Sequence, residues 1–183
     1  MTTHATTNLS LPVSKRDHIR GPATALVTLV EYGDYECSYC GAAHLVVEDL
    51  QRALGDRLRF VFRNFPLAEI HPHAQVAAEA AEAAGAYGKF WEMHDTLYTH
   101  QEALDDAHLT SYAVALGFDP TSLRHDLDAH SYVARVREDF LSGVRSGVNG
   151  TPTFFIEGIR YDGTPDFDSL LAILTNEAEE KSR

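Results

Sequence analysis

The most reactive side chains of this sequence are its two cysteines, Cys37 and Cys40, which are separated by two residues. Residues i and i+3 in the first turn of a helix bring their Cβ atoms within about 6 Å. That distance allows a disulfide to close with little adjustment of the backbone. The spacing therefore predicts a redox pair that alternates between a dithiol and a disulfide.

The positions of the two cysteines predict different roles for them. Cys37 is expected at the N-terminus of a helix, where unpaired backbone N–H groups and the helix dipole favour a thiolate. Such surroundings lower the pKa of a cysteine below its free value of about 8.5, so Cys37 is predicted to be the nucleophile. Cys40 lies one turn further into the helix and is predicted to be the shielded, resolving thiol.

A zinc site and a pair of inert buried thiols are the alternatives to a redox pair. Zinc normally takes four ligands, and its thiolate sites usually have a second C-x-x-C or a histidine pair at matching spacing. The nearby candidates are His71 and His73, in a His-Pro-His segment that is read more simply as the start of a helix. The redox pair is favoured, and neither a metal nor a cofactor is predicted.

The elements around the cysteines predict an α/β fold. Residues 25–32 read as a buried strand, residues 40–54 as a helix and residues 57–65 as a second strand, which together form the unit of an α/β sheet. Residues 153–157 and 159–161 then read as a hairpin, followed by a last helix. Because no strand pattern interrupts residues 71–147, this segment is predicted to be an all-helical insertion between residues 19–70 and 148–183.

Charge and composition exclude several classes of function. The chain has 183 residues, with 15 lysines and arginines against 27 aspartates and glutamates, for a formal charge of −12. Nucleic-acid binding is not expected, because phosphate attraction needs a basic surface. No membrane span is expected, because no run approaches about 18 apolar residues. Residues 1–18 are polar and are predicted to be a flexible tail; they lack a signal-peptide pattern, so a cytoplasmic location is expected.

The segment Thr151-Pro152 precedes the predicted hairpin. Proline cannot donate a hydrogen bond to a sheet, so it marks an edge or a special turn there. Bond frequencies alone favour a trans bond at this position, because cis occurs in only about 5–6% of such bonds.

Together these motifs make the chain resemble the DsbA-like family of thiol-disulfide oxidoreductases, which have a thioredoxin fold interrupted by an all-helical insertion. The resemblance covers about residues 16–178. The matching segments are Val30-Glu31-Tyr32, Cys37-Ser38-Tyr39-Cys40-Gly41, Phe62-Arg63-Asn64-Phe65-Pro66 and Gly150-Thr151-Pro152-Thr153-Phe154-Phe155-Ile156. Two further segments resemble soluble members of the family: His71-Pro72-His73-Ala74 and Phe90-Trp91-Glu92-Met93-His94.

The resemblance implies roles for the residues that match. Pro152 is then a cis proline beside the disulfide, where it keeps metals and other ligands away from the sulfurs. Thr151 binds an extended substrate peptide by strand addition. Ser38 and Tyr39, between the two cysteines, are predicted to contact substrate as well.

Glu31 matches a buried acid of the family that lies near the disulfide. A carboxyl group in apolar surroundings has its pKa raised toward neutrality. Glu31 is therefore predicted to pass protons to and from Cys40. The alternative is an exposed glutamate on the strand.

The predicted activity is thiol-disulfide exchange with protein or low-molecular-weight thiols, through a mixed disulfide. It needs no cofactor beyond the cysteine pair, and it implies a redox partner that the sequence does not identify. One alternative is a glutathione-dependent transferase or isomerase on a related scaffold. Another is a non-enzymatic, peptide-binding thioredoxin-like module with an idle disulfide.

The residues around the cysteines depart from those of the strongly oxidising members of the family. Those members carry Pro-His between their cysteines, whereas Ser38-Tyr39 offers no imidazolium to favour a thiolate. Asp34 and Glu36 add negative charge nearby, which disfavours a thiolate. We therefore expect only moderate thiolate stabilisation and a potential more reducing than that of the strong oxidants.

Overall fold

The computed structural model describes residues 7–183 of the chain, and that part folds into five strands and seven α-helices. The strands are β1 (His18–Arg20), β2 (Val27–Gly33), β3 (Leu58–Asn64), β4 (Thr153–Ile156) and β5 (Ile159–Tyr161). The helices are α1 (Ser38–Leu54), α2 (Ala74–Ala86), α3 (Phe90–Thr99), α4 (Asp106–Ala115), α5 (Pro120–Asp128), α6 (Val133–Arg145) and α7 (Phe167–Lys181).

All five strands form one mixed sheet in the order β1-β3-β2-β4-β5. β2 and β3 are neighbours joined through α1, while β1 pairs antiparallel with β3, β4 with β2, and β5 with β4. Every residue of β2 is buried, as predicted for this strand, and the buried set includes the polar Thr28 and Glu31. The predicted α/β fold with an interrupting all-helical segment is confirmed.

Helices α2 to α6 occupy the segment in which no strand was expected. Alanines dominate α2, and most of its residues are buried, because small side chains let neighbouring helices approach closely. Asp105 caps α4 and Asp119 caps α5, each accepting backbone N–H bonds, and Pro120 follows Asp119 as the first helical residue. Both features are favoured helix-start signals.

The chain divides into two compact units, each formed by segments distant in sequence. The sheet unit comprises residues 7–32, 42–63 and 142–183. The cysteine unit comprises residues 33–41 and 64–141. This division differs from the predicted boundaries, because the segment that carries both cysteines groups with the helical segment.

The N-terminal part of the sheet unit is fixed by hydrogen bonds from residue 7 onward. Asn8 forms an isolated bridge with Ile159, and the Leu9 N–H donates to the Gly158 carbonyl at 2.7 Å. Further along, the Arg63 guanidinium donates to backbone carbonyls of the same segment. These residues are thus not the flexible tail that their polar composition predicted; residues 1–6 lie outside the described residues.

Candidate active site

The two cysteines lie at the start of α1, as their spacing predicts. Cys37 directly precedes the helix; its N–H donates to the Asp34 carbonyl, and its own carbonyl accepts from the Gly41 N–H. Cys37 is 5% exposed and Cys40 is fully buried, and both are thiols. The first thiol therefore lies nearer the surface than the second, which fits attack by Cys37 and resolution by Cys40.

The two residues between the cysteines are both exposed, in contrast to the thiols. Ser38 lies at the surface, and Tyr39 is one of the most exposed large side chains, at 76%. An aromatic ring at the surface beside Cys37 offers apolar area to a bound polypeptide. This exposure is compatible with the predicted substrate contacts, whereas a purely structural role would favour burial.

Gln101 holds the backbone around Cys37 in place, a role that was not predicted from the sequence. Its side-chain Nε2 donates to the carbonyls of Tyr35 (2.8 Å) and Cys37 (2.9 Å). Gly41 permits this approach, because a Cβ at that position would lie 2.1 Å from the Gln101 Oε1. A glycine directly after the second cysteine was the one local signal of such a close contact.

Tyr35 fixes the same loop from the other side. Its hydroxyl lies 3.0 Å from the His94 Nδ1, and its ring packs at 4.9 Å from the ring of Tyr98, between centroids. His94 is 1% exposed. Ring packing accounts for this burial, because Tyr35, Phe90, Trp91 and Tyr98 all contact its imidazole.

Asp34 is a buried carboxylate with three partners in the cysteine unit. Its Oδ1 accepts from the Glu36 N–H at 2.8 Å, and its Oδ2 accepts from the Leu67 N–H at 2.8 Å. The same Oδ2 lies 2.8 Å from the Nδ1 of His71. Asp34 thus ties the cysteine loop to the segment that precedes α2.

Glu36 and His73 form a second pair of the same kind, nearer to solvent. The Glu36 Oε2 accepts from the His73 N–H at 2.6 Å, and its Oε1 lies 3.0 Å from the His73 Nδ1. Both acids that were expected to disfavour a thiolate are therefore paired with histidines.

The pKa of the His71 imidazole depends in part on the charge of Cys37. Burial lowers the pKa of the His71 imidazole, but the hydrogen bond and charge of Asp34, with the charges of Cys37 and Glu36, more than offset this and raise it overall. The interaction is reciprocal, so an imidazolium at His71 favours a thiolate at Cys37. His71 lies in a segment distant in sequence from the cysteines, so this charge comes from outside the Ser38-Tyr39 dipeptide, which itself carries no imidazole.

Glu31 lies on β2 in the sheet unit, opposite Phe154 of β4, and is 1% exposed. The alternative of an exposed strand glutamate is therefore wrong. Its predicted part in proton transfer to and from Cys40 stays a prediction.

The Thr151–Pro152 peptide bond is cis, as the family resemblance implies and against the expectation from bond frequencies. It directly precedes β4, and the Thr153 Oγ1 closes the turn by donating to the Gly150 carbonyl at 2.8 Å. The predicted roles of Thr151 in peptide binding and of Pro152 in excluding metals stay predictions.

Within residues 7–183, none of the helices is both long enough and apolar enough to cross a membrane.

Comparison with known proteins gives a family and two groups of relatives. The thioredoxin family model matches residues 13–176. The Na(+)/H(+) antiporter NhaA 1 of Salinispora arenicola is 47% identical over 170 residues, which are 92% of this chain and 26% of that protein. The antiporter NhaA of Herminiimonas arsenicoxydans is 46% identical over 86% of this chain and 25% of its own length. The chain thus spans about a quarter of the length of these curated relatives.

Similar solved structures match over nearly their whole length. A thioredoxin-like oxidoreductase from Silicibacter pomeroyi has a TM-score of 0.79 and 27% identity over 91% of this chain and 94% of its own. BdbD from Bacillus subtilis, in its oxidised form, has a TM-score of 0.83 and 24% identity over 92% and 96%. Wolbachia pipientis alpha-DsbA1 has a TM-score of 0.82 and 16% identity over 95% and 96%. The chain therefore belongs to the thioredoxin family and has the fold of its DsbA-type thiol-disulfide oxidoreductases.

Proposed function

We propose that this chain is a thiol-disulfide oxidoreductase that exchanges disulfides with protein or low-molecular-weight thiols through Cys37 and Cys40. The observation that carries the proposal is the arrangement of these two thiols at the N-terminus of α1, with Cys37 nearer the surface and Cys40 fully buried. A helix N-terminus stabilises a thiolate, and the thiolate is the attacking species. The proposal concerns this chain only, which matches about a quarter of the length of the antiporter relatives.

A single exchange needs only the two cysteines and the substrate, and repeated turnover needs a redox partner that returns the pair to its starting state. The Cys37 thiolate attacks one sulfur of a substrate disulfide, forms a mixed disulfide and expels the other substrate sulfur as a thiolate. The Cys40 thiolate then attacks the Cys37 sulfur and expels the second substrate thiolate. The substrate gains two electrons and the pair is oxidised to a disulfide; the reverse sequence oxidises a dithiol substrate.

Other side chains take supporting roles in this proposal. Thr151 binds an extended substrate by strand addition, and Ser38 and Tyr39 contact it beside the nucleophile. Pro152 keeps metals from the sulfurs. The buried Glu31 exchanges protons with Cys40.

Single-cysteine variants test the assignment of roles. Cys40→Ser should accumulate a mixed disulfide between Cys37 and a disulfide-bonded model peptide, because the resolving thiol is gone. Cys37→Ser should abolish turnover and trap little. Mass spectrometry of the trapped adducts identifies the attacking sulfur. If Cys37→Ser forms adducts through Cys40 faster than Cys40→Ser forms them through Cys37, the assignment is wrong.

The same proteins separate this proposal from its alternatives. Glutathione transfer to an electrophile that survives loss of Cys40 would favour a transferase on a related scaffold. A potential so low that the native disulfide does not equilibrate with glutathione would favour a peptide-binding module. Equilibration with glutathione, together with trapping through Cys37, supports the oxidoreductase.

A further inference from the structure

We propose that the imidazolium of His71, positioned by Asp34, stabilises the Cys37 thiolate from outside the Cys-Ser-Tyr-Cys motif. The inference rests on the proposed function and deepens it, because it names the charge that sets the reactivity of the nucleophile. His71 does not need to touch substrate for this; its charge acts on the reacting sulfur through space.

The geometry fixes the imidazole of His71 relative to the cysteine loop. Its Nδ1 is held at 2.8 Å by the Asp34 Oδ2, and Asp34 is itself held by the N–H groups of Leu67 and Glu36. The Asp34 carbonyl also accepts the N–H of Cys37. One residue therefore orients the imidazole through its side chain and the nucleophile through its backbone.

Burial separates this pair from an ordinary surface ion pair. The Asp34 side chain is fully buried and the His71 side chain is 21% exposed. The neighbouring pair is more open, with Glu36 at 20% and His73 at 46%. Charges shielded from water and salt interact more strongly, so His71 should influence Cys37 more than His73 does.

The charges around His71 change with the redox state of the cysteines. The groups that act on it are Asp34, Glu36 and Cys37, while His73 lies two residues away in its own segment. In the reduced protein, a Cys37 thiolate adds a negative charge to those of Asp34 and Glu36; in the disulfide the charge of the thiolate is absent. The pKa of His71 should therefore be higher in the reduced protein than in the oxidised one.

His71→Asn tests the inference with little disturbance of the loop. An asparagine side chain can place its amide nitrogen where the imidazole Nδ1 lies, so it keeps a donor for Asp34 but loses the charge. His73→Asn is the matched control, because it makes the same change in the neighbouring acid–histidine pair. Thermal unfolding of both variants checks that the fold is retained.

The first readout is the rate of Cys37 alkylation against pH, measured with Cys40 replaced by alanine. His71→Asn should raise the midpoint of the profile by about one pH unit, a tenfold loss of thiolate below the midpoint. His73→Asn should change the thiolate fraction below the midpoint by less than about threefold. The alkylation rates of all the proteins should converge at high pH, where Cys37 is fully ionised.

The second readout is equilibration of the two-cysteine proteins with glutathione. A less stable thiolate disfavours the reduced form, so His71→Asn should shift the equilibrium about tenfold toward the disulfide. That shift corresponds to a potential about 30 mV more reducing. The control should stay close to the native protein.

The third readout needs no variant at the histidines. NMR titration of the native protein should show that His71 titrates at higher pH in the reduced state than in the oxidised state, with a smaller difference at His73. This measurement decides the inference even if His71→Asn fails to fold.

The outcomes separate the inference from the proposed function. If the native protein exchanges disulfides but the His71→Asn and His73→Asn profiles coincide, or His71 titrates alike in both redox states, the inference is overturned and the proposed function stands. If His71 shifts the Cys37 profile as expected while the native protein exchanges no disulfides, the proposed function fails and the electrostatic inference stands.

Discussion

The sheet unit and the cysteine unit each hold a buried aspartate beside a cationic side chain, but the cations differ. In the sheet unit Asp17 pairs with Arg63, and both side chains are fully buried. In the cysteine unit Asp34 pairs with His71. Arginine stays protonated at any working pH, whereas histidine changes its charge near neutrality. The first pair is therefore suited to holding the fold, and the second to responding to the charge of Cys37.

The Arg63 pair shows what a permanent charge does in this molecule. Burial lowers the pKa of Arg63, but hydrogen bonds and charges from Asp17 and Tyr32 outweigh this and raise it. All five N–H donors of a guanidinium have acceptors here: both Asp17 oxygens, the Tyr32 hydroxyl, and the carbonyls of Leu11 and Pro12. This network holds the N-terminal segment against the sheet.

The largest expected effect comes from breaking this network. Arg63→Gln should lower the free energy of unfolding by about 3–5 kcal/mol, because it leaves the buried Asp17 carboxylate without its cation. Urea unfolding measures the loss. Arg59→Gln is the control on the same strand, since the Arg59 guanidinium bonds to the Thr28 hydroxyl and should cost about 1 kcal/mol or less.

Arg63→Gln should leave the reactivity of Cys37 unchanged. While the protein remains folded, the pH profile of Cys37 alkylation should match that of the native chain. A loss of stability below about 1 kcal/mol, or a shift of that profile as large as the one for His71→Asn, would contradict the separation of roles between the two pairs.

A smaller effect is expected at the hydrogen bonds that hold the cysteine loop. Gln101→Ala removes two bonds to loop carbonyls and should cost about 1–2 kcal/mol in urea unfolding. Gly41→Ala should cost a similar amount, since its Cβ displaces the same side chain. The double variant is the control: because both changes remove the same bonds, it should cost little more than either one. Full additivity would mean that Gly41 acts through some other contact.

The smallest effect is the pH dependence of stability that comes from His71. Its pKa is raised in the folded protein, so the folded state binds more protons than the unfolded state between the two values. This contribution is fully present below the unfolded value of about 6.5 and is lost as the pH rises through the folded value. It should amount to about 1 kcal/mol, because the His71 side chain is still 21% exposed and solvent screens part of its charge.

The difference in unfolding free energy between the native protein and His71→Asn isolates the contribution that the His71 charge makes to stability. The difference should be larger near pH 6 than near pH 9, read from paired urea curves at about those values. His73→Asn, measured in the same way, supplies the comparison within the more exposed pair. A difference that stays constant over this range would show that His71 contributes through its hydrogen bond alone and not through its charge.

Local pattern was sufficient to predict most of the elements and the placement of the cysteines. The strand before Cys37 and the helix after it follow from apolar periodicity, which a sequence displays directly. β1 was missed because three residues are too few to show alternation. The N-terminal segment was misjudged because its partners, such as Arg63, lie far away in the chain.

The sequence by itself determined that this protein has a helix-borne dithiol in an α/β fold, since spacing and periodicity are local properties, and the family resemblance implied that this fold is of the thioredoxin type. Only the tertiary structure decided the electrostatic surroundings of that dithiol. In the sequence, Asp34 and Glu36 are negative charges near Cys37 with no visible partner. In the structure, each contacts a histidine that lies 37 positions further along the chain. The effect of a charge depends on what lies within a few ångströms of it, and for these residues folding alone brings that partner near.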